Sequence, residues 1–412
     1  MRGDGRAAWN LALGVQVAGS QAAWQGFRIM LAYQALAETR SPAFVGVVAA
    51  VTAFAGLVVS VPSGRLLDRF GGARVAQGGI LVSLLGMLVV LVAHNVVGLL
   101  IAAVFVGVGY INVMIAQQGM AAHAVSGRGA DAAFGALFAA LSIGQLVGPP
   151  LVTVAAMSAS DGGAQPNTWA GLLACSLLFL VSLPAYFALR RAERAGVGPS
   201  RQPGSRPASL RTVLRNPGIV RAMLVGAAVI VTVDLSTSFI PVWAVAQHIP
   251  ADVVGWLFSL RALFTIVSRV GIVRMVSVFG RKTLLIAMLA LTVVALLLLP
   301  FAGVWAALPI MAAMGIGLGL PQPLTLTWMS SLAPAHARGA VFGARMTVNR
   351  FAQVTLPLLV ATVAGPLGVI AVFWATGAIL ATAVVLVAVT PTSALNELDG
   401  EDEAGGTPRD EP

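Results

Sequence analysis

The sequence has little charge and almost no cysteine. Only 10% of its 412 residues are Asp, Glu, Lys or Arg, whereas soluble proteins carry about 25%. Apolar residues make up 58% of the chain, and the mean hydropathy is +0.90. Because so few polar side chains cannot cover a surface in water, the chain is predicted to be a membrane protein. The single cysteine, Cys175, excludes a disulfide within the chain and a metal site built from several thiolates.

Two further absences concern catalysis and energy. The four histidines are scattered near the ends of apolar runs, and only one carboxylate, Asp234, lies deep inside such a run. A catalytic or metal cluster is therefore not expected, and neither an enzyme nor a cofactor is predicted. The phosphate-binding pattern Gly-x-x-x-x-Gly-Lys-Ser is also missing, so ATP is not expected to be the direct energy source.

Long uncharged runs dominate what is present. The 55 residues between Lys282 and Arg338 contain no charge, and as a helix they would measure roughly 80 Å against a hydrocarbon core of about 30 Å. Twelve runs are long enough to span a bilayer, at 9–36, 43–61, 75–93, 96–118, 132–157, 169–189, 218–244, 253–274, 283–302, 304–331, 340–363 and 367–390. The predicted fold class is an all-α integral membrane protein with twelve transmembrane helices.

The basic residues lie in short loops on one side of this arrangement. The formal net charge is +10, and seven of the fifteen acids fall in the last 16 residues. Since cytoplasmic loops are enriched in Lys and Arg, this asymmetry predicts that both termini are cytoplasmic. The same rule explains the basic balance, so nucleic-acid binding is not expected.

One long polar interruption at 190–217 divides the spans into six and six. We therefore predict an N-terminal bundle at 1–189, a cytoplasmic linker at 190–217, a C-terminal bundle at 218–392 and an acidic, disordered tail at 393–412. The halves repeat at an offset of 208 residues, which aligns Gly107 with Gly315, Gln145 with Gln353 and Pro149 with Pro357. A parallel repeat of this kind predicts a pathway between two pseudo-symmetric bundles.

A charged segment between the second and third spans carries a family resemblance. It reads Gly64-Arg65-Leu66-Leu67-Asp68-Arg69-Phe70-Gly71 and resembles the signature loop of the major facilitator superfamily, Gly-x-Leu-x-Asp-Arg-x-Gly-Arg-Lys. The usual basic pair is replaced by Gly72-Ala73, and a degenerate copy with Ser277 at the acid position lies at 274–282. The resemblance covers the chain to Thr392 and implies that Gly64, Asp68, Arg69 and Gly71 form a conformational latch; an ordinary positively charged loop is the alternative.

The fifth span contains Gly144-Gln145-Leu146-Val147-Gly148-Pro149-Pro150. This is similar to the Gly-x-x-x-Gly-Pro pattern of the superfamily's antiporters, although Val152-Thr153 stands where two glycines usually close it. The pattern favours export slightly. Close helix packing by small residues is an alternative explanation.

Polar residues inside the spans are the candidate substrate site, since a charge at the bilayer centre costs on the order of 3 kcal/mol. Gln21, Trp24, Gln25 and Arg28 form a stripe on one face of the first helix. The other candidates are Asp234, Arg261, Gln322 at a proline kink, Asn349, and Arg350, which is expected on a different face from Arg345, Asn349 and Gln353. Hydrogen bonding between helices is the alternative for each. Arg269 and Arg345 either reach the cytoplasmic interface or face the cavity.

These observations, with the resemblance, predict a secondary active transporter that moves a small molecule across the cytoplasmic (inner) membrane by alternating access. A proton gradient is the expected energy source, with Asp234 as the coupling residue, because arginine stays charged. Three deep arginines against one carboxylate favour an anionic or zwitterionic substrate over a lipophilic cation. An importer of a small organic anion, a lipid flippase and a transport-dead membrane sensor are the alternatives. The lipid bilayer and the substrate are the expected partners, and a monomer is expected.

Overall fold

A computed structural model describes residues 2–93, 95–123, 130–160, 165–192, 194, 216–332 and 338–391. The tail at 393–412 and nearly all of the predicted linker at 190–217 lie outside these residues. The division into two bundles, a linker and a tail therefore stays a prediction. The helices before residue 193 are called the N-terminal half, and those after residue 216 the C-terminal half.

Every regular element in the described part of the chain is helical. The N-terminal half consists of α1 (Arg2–Thr39), α2 (Pro42–Phe70), α3 (Gly72–Val92), α4 (Val96–His123), α5 (Ala130–Ser158), α6 (Thr168–Ser182) and α7 (Ala185–Ala192). The C-terminal half consists of α8 (Pro217–Ala246), α9 (Ala251–Val270), α10 (Ile272–Phe279), α11 (Arg281–Leu298), a 3-10 turn (Leu299–Phe301), α12 (Val304–Gly319), α13 (Pro321–Leu332) and α14 (Arg338–Ala388).

The predicted all-α membrane fold is confirmed. Ten described segments are long and apolar enough to cross a membrane. The other two predicted spans, 9–36 and 340–363, lie within α1 and the first part of α14. They are helical but less apolar, because they carry Gln25 and Arg28 in one case and Arg345 and Gln353 in the other. Gly368, with φ 71° and ψ −168°, breaks α14 at the turn predicted between the last two spans.

Several predicted spans are interrupted where proline or glycine occurs. The span predicted at 169–189 consists of two helices, α6 and α7, separated by Leu183-Pro184. In the span predicted at 253–274, the helix α9 ends before Gly271 and α10 begins after it. The span predicted at 304–331 divides at Leu320, immediately before Pro321. Proline has no backbone N–H to donate to the preceding turn, so the kink expected around Gln322 is confirmed.

The segment that resembles the signature loop is helical, which corrects the prediction of a loop there. The helix α2 continues through Gly64 to Phe70, and Gly71 alone separates it from α3. Gly71 has φ 85° and ψ 160°, and its counterpart Gly280 between α10 and α11 has φ 75° and ψ 151°. Because this backbone region is open essentially to glycine alone, a single glycine lets two antiparallel helices join without a longer loop.

The two halves meet closely through two helix pairs, α2 with α14 and α5 with α9. A Cβ atom on Gly46 of α2 would lie 2.8 Å from Ala361 Cβ, and one on Gly255 of α9 would lie 2.9 Å from Pro150 Cα. The hydroxyl of Ser259 also donates to the carbonyl of Leu146, at 2.5 Å. These contacts lie toward the helix ends that the distribution of basic residues predicts to be outside, so the halves are closed together at that end.

Candidate functional site

Two adjoining cavities lie between the halves. The first has a volume of about 240 Å³ and is bordered by α1, α2, α4, α5, α8 and α14; the second, of about 280 Å³, is bordered by α1, α5, α8, α9, α12 and α13. Gln25, Gln145, Ile230 and Val233 line both cavities and form their common wall. We call them the Asp234 cavity and the Arg261 cavity, each after one of the charged residues that line it.

An ion pair joins the two halves in the Asp234 cavity. Arg28 Nη1 donates to Asp234 Oδ1 at 2.7 Å, and Arg28 Nη2 donates to the backbone carbonyl of Asp234 at 2.8 Å. The second carboxylate oxygen, Oδ2, accepts from Gln353 Nε2 at 2.5 Å. The side chains of Arg28 and Asp234 are 12% and 23% exposed. Both carboxylate oxygens of Asp234 are therefore engaged, one by each half of the chain.

Arg350 lines the same cavity, which corrects the prediction that it faces away from Gln353. Arg350 Nη1 donates to Gln353 Oε1 at 3.0 Å, and Nη2 lies 3.6 Å from the sulfur of Met114 in α4. Residues three apart on a helix are neighbours on its surface, so Arg350 reaches Gln353 along α14. Gln353 thus links Arg350 to Asp234.

The polar stripe predicted on the first helix lines the Asp234 cavity with all four members, Gln21, Trp24, Gln25 and Arg28. The Trp24 ring stacks on Tyr110, with centroids 3.9 Å apart and planes 4° from parallel, and Tyr110 Oη donates to Gln21 Oε1 at 3.2 Å. The sequence reasoning missed Tyr110. The available signal was a tyrosine in the middle of an apolar span, where its hydroxyl requires a partner.

Arg261 lines the other cavity rather than the one that Arg28 and Arg350 line. Its side chain is 8% exposed, and its guanidinium lies over the ring of Phe258, 5.0 Å from the centroid. Its Nη1 atom is buried and has no hydrogen-bond partner. Arg269 lines the same cavity and donates from Nε to the carbonyl of Gly319 at 3.1 Å. Of the two alternatives for Arg269, this position fits the cavity, because the break before α13 leaves a carbonyl within reach of its side chain.

Gln322, at the kink, also lines the Arg261 cavity. Because Pro323 has no N–H for the carbonyl of Gly319, that carbonyl is left to accept from Arg269 in the same cavity. The Gln322 side chain accepts from Arg345 Nη2 at 2.8 Å. Arg345 is buried and bonds to Gln322, so of its two alternatives the structure does not fit a position at the interface.

Asn349, a predicted site residue, is 5% exposed and lines neither of the two cavities. Its position on α14 is one residue before Arg350, which turns its side chain by about 100° around the helix axis. The structure thus separates Asn349 from the candidate site.

The predicted latch residues lie at the end of α2 and the joint that follows it. Gly64 is helical, and the exposed Arg69 places its guanidinium over the ring of Phe70, 5.2 Å from the centroid. The side chain of Asp68 lies outside the described residues. The latch role of Gly64, Asp68, Arg69 and Gly71 stays a prediction.

The glycines of the fifth span pack against α1. A Cβ atom on Gly144 would lie 2.7 Å from Gln21 Cβ, and one on Gly148 would lie 2.6 Å from Ala22 Cα. Close helix approach therefore accounts for both glycines. The direction of transport stays a prediction.

Comparisons with known proteins identify the family. The sequence model of the Major Facilitator Superfamily matches residues 13–249 and 229–410, and the chain belongs to this superfamily. No curated protein matches the chain by sequence.

Solved structures of several transporters have the same fold. A mutant of the peptide transporter POT in complex with sulfate is 16% identical, with a TM-score of 0.72, and the match covers 96% of this chain and 94% of that one. A mutant of the nucleoside transporter NupG is 12% identical, with a TM-score of 0.69 and coverage of 94% and 100%. A bacterial homologue of the human lysosomal transporter Spinster, in an inward-facing and occupied conformation, is 12% identical, with a TM-score of 0.69 and coverage of 95% and 96%.

Proposed function

We propose that this protein is a proton-coupled secondary active transporter that moves a small anionic or zwitterionic molecule by alternating access. The observation that carries the proposal is the ion pair between Arg28 and Asp234, which joins the two halves in the wall of a central cavity. Membership of a transporter superfamily and the fold shared with transporters support transport rather than catalysis.

The ion pair supplies a reason for coupling to protons. Asp234 is the only carboxylate among the residues that line the two cavities. When Asp234 is charged, its bonds to Arg28 hold the halves together, and charge-assisted bonds of this kind are about twice as strong as neutral ones. Protonation removes that charge and weakens the link between the halves. A proton on Asp234 and a substrate that binds between the halves then bias the same movement.

The proposed orientation rests on the charge distribution, and the slight preference for export rests on the partial antiporter pattern in the fifth span. With both termini cytoplasmic, the contacts at Gly46 and Gly255 close the outer side, so the cavities belong to a conformation that is not open to the outside. Export is the proposed direction and import of a small organic anion is the alternative. We propose a monomer in the cytoplasmic membrane, since the pathway lies between two halves of one chain.

The substrate and the coupling are tested in sequence. Purified protein is first screened by thermal shift against drugs, sugars, organic acids and amino acids, and the proposal expects acids or zwitterions among the compounds that stabilise it. A stabilising compound is then used in proteoliposomes with an imposed pH gradient. Stabilisation by lipophilic cations alone would contradict the proposed substrate class.

The coupling residue is tested by Asp234→Asn, with Asp252→Asn as a matched control because Asp252 lines neither cavity. We expect Asp234→Asn to bind the compound and to lose its uphill movement under a pH gradient, whereas Asp252→Asn retains it. Full uphill transport by Asp234→Asn would refute the role of this carboxylate.

A further inference from the structure

We propose that the Arg261 cavity is an oxyanion-binding subsite, which holds a carboxylate or phosphate group of the substrate on the Arg261 guanidinium. This inference rests on the proposed transport function and deepens it: protonation takes place in one cavity, and the acidic group of the substrate binds in the adjoining one. The three arginines that the sequence suggests as equivalent partners for an anion are therefore not equivalent.

Arg28 and Arg350 already have partners. Arg28 is bonded to a carboxylate oxygen and a backbone carbonyl of Asp234, and Arg350 is bonded to Gln353 and lies near Met114. An anion that bound either of them would have to displace those contacts.

Asp234 accepts no hydrogen bond from Arg261 in this structure. Its Oδ1 atom accepts from Arg28 and its Oδ2 atom accepts from Gln353. Arg28 and Asp234 form the only ion pair in which both side chains belong to the described residues. Arg261 therefore forms no ion pair with a described acid, and Asp234 acts on it only through the longer-range attraction of opposite charges.

The surroundings of Arg261 fit an oxyanion. The side chain is more than nine-tenths buried, its Nη1 atom has no partner, and its guanidinium lies over the Phe258 ring. Two arginines, Arg261 and Arg269, and no carboxylate line this cavity. A buried charge without a partner is costly, and a planar guanidinium matches the two oxygens of a carboxylate or phosphate. An oxyanion bound in this cavity supplies the negative charge and the hydrogen-bond acceptor that Arg261 lacks.

Size limits the class of substrate. The cavity of about 280 Å³ lies just below the range of roughly 300 to 1,000 Å³ that is usual for ligand pockets. Residues at the common wall, Gln25 and Gln145, allow the rest of the molecule to extend toward the Asp234 cavity. A small organic acid fits this arrangement, and so does a phosphate.

The test measures anion binding by the purified full-length protein in detergent. Thermal unfolding is followed with sodium benzoate and with sodium phosphate, each compared with sodium chloride at equal ionic strength. We expect at least one of the two oxyanions to raise the apparent Tm of the parent above its value in chloride. A rise with benzoate alone identifies an organic carboxylate, and a rise with phosphate alone identifies a phosphate group.

Three variants distinguish the subsite from general effects. Arg261→Gln should lose the oxyanion-dependent rise, and Arg261→Lys should show a smaller rise than the parent because it keeps the charge but not the planar fork. Arg345→Gln is the matched control, since Arg345 is a buried arginine that lines neither cavity and bonds to Gln322 through Nη2, and it should keep the rise. Because each rise is measured within one variant, a lower stability of the variant itself does not affect the comparison.

Two results would overturn the subsite. One is an unchanged oxyanion-dependent rise in both Arg261 variants, and the other is the absence of any rise in the parent with both oxyanions. Neither result bears on Asp234, which is judged by the pH-driven transport of Asp234→Asn. The reverse outcome, with binding lost in Arg261→Gln and coupling intact in Asp234→Asn, would refute the proposed coupling and keep the subsite.

Discussion

The ion pair between Arg28 and Asp234 predicts a strong energetic coupling between the two halves. The perturbations are Asp234→Asn, Arg28→Gln and the double variant. Removing one member of a fully buried pair costs about 3 to 5 kcal/mol, whereas an exposed pair contributes about 0 to 1 kcal/mol. With side chains 12% and 23% exposed, the pair lies nearer the buried limit, and we expect a cost of about 2 to 3 kcal/mol for each single variant.

The hydrogen bonds predict which single variant is the worse. In Asp234→Asn the new amide N–H group faces Gln353 Nε2, which is itself a donor, and turning the Gln353 amide would break its bond to Arg350. Arg28 also remains as a buried cation without an acid. Arg28→Gln creates no such donor conflict, so it should be the milder change. The double variant leaves neither charge buried and should cost about 2 kcal/mol less than the sum of the single variants.

The single cysteine provides a way to measure the stability of the four proteins. Cys175 is fully buried, so a thiol-reactive fluorescent dye reports its exposure when the protein unfolds. For a folding unit of about 200 residues, 2 kcal/mol corresponds to a change of about 4 to 8 °C in the apparent Tm. The four proteins are compared in one detergent at one pH.

Additive changes would refute this reasoning. If the change in apparent Tm of the double variant equals the sum of the two single changes, Arg28 and Asp234 do not interact in the membrane protein. A single variant more stable than the parent would contradict the argument in the same way.

Three further predictions concern the backbone and the closed end. Gly71→Ala should lower the free energy of unfolding by about 1 to 3 kcal/mol, because its φ of 85° disfavours a residue with a Cβ atom. The control Gly64→Ala should be neutral or slightly stabilising, because Gly64 is helical and an added Cβ atom would have no neighbour within 4 Å. Unfolding reported by the thiol-reactive dye compares the two variants. Gly46→Val should separate the halves at the closed end, because the valine side chain would collide with Ala361. Distances between spin labels placed across that end should increase in this variant. They should not increase in the control Gly14→Val, where an added Cβ atom has no neighbour within 4 Å. Asp68→Asn should slow transport in proteoliposomes at normal membrane expression, and an unchanged rate would remove the latch assignment.

The sequence alone was sufficient for the number of spans and for part of the site. In a bilayer each helix satisfies its own backbone hydrogen bonds, so the length of an apolar run is enough to predict a span. The stripe of Gln21, Trp24, Gln25 and Arg28 was predictable for a similar reason, because the helical repeat places these residues on one face whatever surrounds the helix.

The joints between helices were only partly predictable. The kink at Gln322 followed from the flanking prolines, since proline lacks an N–H group. The helical extension of α2 to Phe70 did not follow, because a charged segment next to a glycine is equally compatible with a loop. Only the conformation of Gly71 decides where that helix ends.

Which charges meet was decided by the tertiary structure. Arg28 and Asp234 are separated by 206 positions in the chain. No local pattern in the sequence indicates which of Arg28, Arg261 and Arg350 pairs with Asp234. The helical period fixes the face of one helix on which a residue lies, but the neighbour of that face depends on how the halves pack against each other. That packing pairs Arg28 with Asp234, links Arg350 to Gln353, and leaves Arg261 beside a second cavity with its Nη1 atom unpartnered.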